Sequence, residues 1–249
     1  MKKSNGFIPS SLACFVGVNF LTPVLLAQTA EQAAAQTLPD INVSADAESA
    51  LEDYRNTDLS SPRTPAKRLD TPQSITVVPE KLMKDQGVTT LRDALRDVSG
   101  LSLLAGEGGN QGDNLSLRGF SARSDIYQDG MRDSGSYNRD SFLLESVEVL
   151  KGPSSALFGR GSTGGVINMV TKSPKAKAFS DGTLTVGSDN TRRATADLNK
   201  PLTESIGFRL NLMDHFNNVT GRNGAENRRF GIAPYLTIGL GQPTRLTVG

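Results

Sequence analysis

The chain has no tryptophan, a single cysteine (Cys14) and a single histidine (His215). One cysteine excludes a disulfide framework and any cysteine-based metal site. One histidine without clustered cysteines leaves zinc or haem without its usual protein ligands. Neither charge sign is in excess: 27 Lys and Arg stand against 26 Asp and Glu, which points to neither nucleic acid nor a bulk anionic surface as partner. Beyond residue 27 no apolar run is long enough for a membrane-crossing helix. His215 has no Ser or Cys arrangement beside it that would support nucleophilic catalysis, and its neighbours Asp214 and Phe216 suit a strand.

Glycine, by contrast, is abundant, and its densest use is in residues 143–171. The β-branched runs around Val147 and Val149, and from Val166 through Val170, read as strands. Between them lie a short helical turn and Gly152, Gly159, Gly161, Gly164 and Gly165. Glycines in that number let the backbone take positive φ and pass close to other chain, so the segment belongs in a crowded interior. Gly159, Gly161 and Gly164 also match G-x-G-x-x-G, with Asp181 near the distance of a ribose contact. A dinucleotide site needs a helix directly after the glycines to receive the pyrophosphate. A strand follows here, and no Gly-Lys-Ser/Thr exists for a P-loop, so both nucleotide readings fail.

Several further blocks occur in a fixed order: DTPQSITVVP from Asp70, LRDAL from Leu91, LSLRGF from Leu115, YQDG from Tyr127, VEVLKGP from Val147, and FGRG from Phe158 running on to NMVTK at Asn168. Together they resemble the plug domain of TonB-dependent outer-membrane receptors, with wording similar to the ferric-siderophore branch and its catecholate receptors. The resemblance runs from about Pro39 to the end of the chain. It implies an α+β plug domain, a small mixed sheet with short helices, followed by the first antiparallel strands of an incomplete transmembrane β-barrel.

The segments before the plug fit that picture. Lys2 and Lys3, then a mostly apolar stretch to Leu26 and a small residue at Ala27, read as a secretory signal peptide over 1–27. Cys14 falls within its apolar part, and Ser11 stands where a lipobox needs Leu. Residues 28–66 are polar and Pro-containing, a tether that buries too little apolar surface to fold alone. Within it lies one β-prone island: Leu38, Pro39, Asp40, Ile41, Asn42, Val43, Ser44 and Ala45. Such a peptide is suited to adding to a sheet edge of another protein. It resembles the TonB box, which implies TonB, with its inner-membrane energising complex, as a partner.

Residues 67–175 read as the compact domain. A strand over 73–78 leads into a short helix opened by Pro79 or Glu80 and ended by Gly87. Thr90 with Asp93 reads as an N-cap box, and Leu91, Ala94, Leu95 and Val98 form an apolar stripe destined for the core. Strands are expected at 101–104, 115–117 and 125–128, the last turned by Asp129-Gly130. Two polar loops, 106–113 and 131–140, remain. The resemblance places such loops at the floor of a siderophore site, where Arg meets the charge of an iron chelate and Tyr stacks and hydrogen-bonds. By position Gln111, Arg132, Ser134 and Tyr137 are the ligand candidates. Arg118 and Arg160, each beside a glycine, are the implied locks between plug and barrel wall. Their acids would come from wall strands, or from Glu145 and Glu148 within the plug.

Beyond 176 the sequence alternates apolar and polar residues over 182–188, 192–202, 206–217, 228–240 and 244–248. Period two with turn signals between fits barrel strands and fits a soluble antiparallel sheet equally. A plugged transporter barrel has about 22 strands, so five cannot close a ring and roughly 350 residues would be missing. The reading is therefore a truncated receptor that by itself transports nothing. The implied function is TonB-dependent uptake of a ferric siderophore at the Gram-negative outer membrane, with no catalytic residue and no cofactor, since iron arrives already chelated. Haem, cobalamin, a copper chelate or a glycan is the alternative cargo, and a soluble periplasmic binding domain or enzyme the alternative class.

Overall fold

The computed structural model describes residues 68–104, 112–159 and 161–249, together with Tyr54, Leu59 and Arg63. Every described residue lies in the compact unit that spans 43–249. The signal-peptide and 38–45 readings, Gln111 and Arg160 fall outside the described residues.

A five-stranded mixed sheet forms the centre of the first half, in the order β1 (Ser74–Pro79), β7 (Leu144–Lys151), β8 (Gly165–Thr171), β5 (Ile126–Gln128), β6 (Met131–Arg132). Only β5 and β8 run parallel. β7 and β8 are buried along nearly their whole length, their polar residues Ser146, Glu148 and Asn168 included. Val147, Val149, Ile167, Met169 and Ile126 turn to one face. They meet α1 (Glu80–Asp85), α2 (Leu91–Leu95), and a small sheet of β2 (Leu101–Leu103), β3 (Leu115–Leu117) and β4 (Phe120–Ser121). Leu150, Val166, Ile75 and Tyr127 turn to the other face, against Phe158 of α3 (Ser155–Phe158).

The glycine-rich loop exists because β8 starts in a gap without room for a side chain. A Cβ on Gly165, whose φ is +141°, would lie 2.1 Å from the Leu150 carbonyl oxygen, and one on Gly164 would lie 2.2 Å from that of Leu117. The N-cap box of α2 forms as its residues dictate: Thr90 Oγ1 accepts from the Asp93 amide at 3.2 Å, and the Asp93 carboxylate accepts from the Thr90 amide at 3.1 Å. Regular helix stops at Leu95, but the apolar stripe continues through a turn to Val98, and all four of its residues are buried. Pro79 sits inside β1, where an edge strand tolerates its missing N–H. The 131–140 stretch is not all loop: Met131 and Arg132 pair with β5 across a turn in which Asp129 and Gly130 both take positive φ.

The second half is an antiparallel meander of β9 (Phe179–Val186), β10 (Arg192–Pro201), β11 (Ile206–Asn218), β12 (Glu226–Ile238) and β13 (Leu246–Val248), with no ring closed among the described residues. Its burial pattern is inverted relative to a soluble sheet. Arg209, Asn211 and His215 of β11 are buried, as are Arg193, Asp197 and Asn199 of β10. Leu184, Val186, Phe230, Ile232 and Ile238 face outward. Polar inside and apolar outside is the signature of a barrel wall. No described helix is long and apolar enough to cross a membrane.

Candidate functional site

The β5–β6 hairpin projects the 132–140 loop, and a buried arginine sets the loop's shape. The Arg139 side chain is 4 % exposed. Its Nε donates to Asp133 Oδ2 at 2.8 Å, its Nη2 to the carbonyls of Gly135 (2.9 Å) and Asp133 (3.2 Å), and its Nη1 to Asp113 Oδ2 (3.2 Å). Asp113 also accepts the Arg139 amide at 3.0 Å and gives its own amide to the Tyr137 carbonyl at 3.2 Å. Gly112 packs so closely on this loop that a Cβ there would meet the Ser136–Tyr137 peptide at 2.7 Å. The two loops that looked separate in sequence are therefore joined at this point.

Tyr137, 48 % exposed, is held from two sides. Its hydroxyl donates to Asp133 Oδ2 at 2.6 Å, and the Arg139 guanidinium lies 4.4 Å from its ring centre. Arg132 and Ser134 are exposed on the same loop. Arg132 is braced by Tyr127, whose hydroxyl accepts from its Nε (3.1 Å) and Nη2 (2.8 Å). The carboxylates differ in protonation tendency. Burial pushes Asp113 above the ordinary range despite the bonds from Arg139. Burial also pushes Asp133 upward, but the bonds from Arg139, Tyr137 and the Gly135 amide prevail and hold it below. Arg132, Ser134 and Tyr137 are thus all exposed on the surface of one short stretch of chain. Arg139 and Asp113, which organise that surface, were not singled out in sequence; the only signal was an ionisable residue of opposite sign in each of two polar loops.

Ion pairs between plug and wall run both ways: arginines of the wall reach Asp140 and Glu145 of the plug, while Lys84 and Lys172 of the plug reach Asp181 and Asp197 of the wall. Arg209 holds Asp197 of its own sheet bidentately (2.8 and 2.7 Å) and reaches Glu145 of β7 at 3.1 Å and the Ser173 carbonyl at 2.9 Å. Lys172 joins Glu80 (3.0 Å) to Asp197 (3.1 Å). Asp140 is clamped by Arg193 (2.5 Å) and Arg229 (2.9 Å). A cavity of about 170 Å³ lies between these clusters, lined in part by Glu80, Lys172, Asp197 and Arg193. Among the described residues Glu145 pairs with Arg209 and Lys175. Glu148 is fully buried and accepts from Asn168 Nδ2 at 2.9 Å. Arg118 is exposed, in the left-handed region at φ +54°, and pairs with no carboxylate among the described residues.

A plug with a mixed sheet, short helices and glycine-packed strands, set against a wall that is polar within, defines a class of outer-membrane receptor. Residues 67–166 match the family model described as TonB-dependent Receptor Plug Domain. The chain is 44 % identical over 227 residues to the probable TonB-dependent siderophore receptor PiuA of Acinetobacter baumannii, covering 90 % of this chain and 30 % of that protein. It is 39 % identical over 240 residues to the catecholate siderophore receptor Fiu of Escherichia coli K12, covering 95 % and 31 %. It is also 35 % identical over 242 residues to the metal-pseudopaline receptor CntO of Pseudomonas aeruginosa, covering 96 % and 34 %. The crystal structure of PiuA superposes with a TM-score of 0.74 at 46 % identity, over 79 % of this chain and 28 % of that one. The closed form of Fiu superposes with 0.74 at 39 %, over 78 % and 28 %. The chain belongs to the TonB-dependent receptors, and it spans about a third of the length of the relatives it matches.

Proposed function

We propose that the chain carries the plug and opening wall strands of an outer-membrane receptor that takes up a ferric siderophore of catecholate type. Residues 1–27 would direct export, and 28–66 would tether the box at Leu38 to Ala45, which TonB grips from the periplasm. The plug would extend over 67–175 and the wall strands over 176–249. The observation that carries the reading is the joined loop unit. It presents Arg132, Ser134 and Tyr137 on a frame locked by Arg139, a cation and an aromatic ring suited to an anionic aromatic chelate. Gln111 belongs to the first of the two loops and would join them. The protein would do no covalent chemistry and hold no cofactor, with iron as cargo. Arg118 and Arg160 would meet acids on wall strands other than the five present here.

Two measurements test this. Binding of the chain to a TonB C-terminal domain is expected to vanish when residues 38–45 are deleted. Quenching of tyrosine fluorescence by a ferric catecholate is expected to weaken at least tenfold in Arg132→Ala with Tyr137→Ala. Equal quenching by wild type and the double variant would remove these residues from the cargo site. A preference for a metal-pseudopaline complex over catecholate would move the cargo to the chemistry named for the third relative.

A further inference from the structure

Leu59 and Arg63 lie between the box and the plug, and both lie against the second face of the central sheet. Leu59 is half-buried on the cluster of Ile75, Tyr127, Leu150, Phe158 and Val166. Arg63 Nε donates to the Gly130 carbonyl at 2.9 Å, its Nη1 to the Leu157 carbonyl at 2.9 Å, and its guanidinium sits 5.8 Å from the Phe158 ring centre. Gly130 belongs to the β5–β6 turn and Leu157 to α3, so one side chain clips two elements together.

Directly beneath the clip, Tyr127 ties the same two elements. Its ring meets Phe158 edge-on at 4.9 Å, and its hydroxyl donates to the Phe158 carbonyl at 2.7 Å. That hydroxyl is the one that accepts both bonds from Arg132. A phenol receiving charge-assisted bonds is a stronger donor onward, so Arg132 strengthens the hold of Tyr127 on α3. α3 has four residues, too few to hold its shape by its own hydrogen bonds. Its last two carbonyls are each held from outside the helix, that of Leu157 by Arg63 and that of Phe158 by Tyr127.

We propose that Leu59 and Arg63 form a latch on the plug, and that Tyr127 couples the latch to Arg132. An anionic chelate that draws Arg132 off the Tyr127 hydroxyl loosens the Phe158 carbonyl and with it the Leu157 carbonyl that Arg63 holds. The identity of the trigger rests on the siderophore reading above; the coupling of Arg132 to Arg63 stands on the geometry alone.

Trypsin must take the arginine side chain into its own pocket, so cleavage after Arg63 reports release of the latch, provided reclosing outpaces cleavage. In the full chain, the rate after Arg63 is compared with that after Arg222 in the exposed β11–β12 turn. Tyr127→Phe keeps the ring and removes the joint, and is expected to raise the ratio roughly fivefold. Arg132→Gln is expected to raise it in the same direction, while Arg192→Gln, an exposed charge removed from β10, leaves it unchanged. A wild-type ratio in Arg132→Gln overturns the proposal. That exposed substitution also decides the case in which Tyr127→Phe speeds cleavage after every arginine. A ferric catecholate added to wild type is expected to raise the ratio as well. If it does not while both variants do, the coupling stands and the siderophore reading falls.

Discussion

The plug and the wall sheet solve burial in opposite ways. In the plug, Val147, Val149 and Ile167 are fully buried, and the one charged side chain buried among them on β7, Glu148, is met by Asn168. In the wall, Arg209 and Asn211 are each 1 % exposed, while Leu184 and Phe230 are 78 % and 79 % exposed. A region whose apolar side chains face outward on one side and whose ions face a partner on the other is shaped for two environments. The difference shows where cohesion comes from. The plug is held by apolar packing, worth about 25 cal/mol for each Å² removed from water. Its union with the wall is held by ion pairs in a thin buried layer, whose worth depends on every member being present.

Substitutions that force one region to obey the other's rule should break this contrast. Gly165→Ala places a Cβ against backbone in the plug, and is expected to cost more than about 4 kcal/mol in urea unfolding. Arg209→Met takes the bidentate partner from buried Asp197, which keeps only Lys172 among the described residues, and one of the two cations from Glu145. It is expected to cost about 3 kcal/mol and to make the wall strands exchange amide protons faster than β7 and β8. The two loop carboxylates should part company. Asp133 is held below the ordinary value of 3.8, so its stabilisation is present above that pH and lost as pH falls through its lower folded value. Asp113 is raised above 3.8, so its charge detracts from stability at neutral pH and protonation on acidification relieves it. Asp133→Asn is expected to lose on the order of 1 kcal/mol at pH 7, and Asp113→Asn to lose nothing or gain slightly. Smallest of all, Leu184→Ser on the outward face should shift the urea midpoint by less than about 0.5 kcal/mol in aqueous buffer. A large loss there would mean the outward face is packed against protein.

What was legible in the sequence follows the range of the forces involved. The strands came through because period two and β-branched runs are local: expected bounds of 192–202 and 206–217 meet observed strands of Arg192–Pro201 and Ile206–Asn218. The box at Thr90 and Asp93 is local too. The parallel pairing of β5 with β8 is not, because nothing near Ile126 records that Ile167 will lie beside it. The same holds for the site. Arg132, Ser134 and Tyr137 were legible as exposed polar residues of one loop. The role of Arg139 depends on Asp113 arriving from another loop, a meeting that only the fold arranges. The pairing of wall arginines with plug acids was hidden for a further reason. Alternation along β10 and β11 marks Arg193 and Arg209 as inward-facing, but not which acids they will find.

Arg139 and Asp140 are neighbours in sequence with different allegiances. Arg139 is committed wholly to the loops of the plug, whereas Asp140 is clamped by Arg193 and Arg229 of the wall. The boundary between the two bodies therefore passes through a single peptide linkage, at the base of the surface that carries Tyr137.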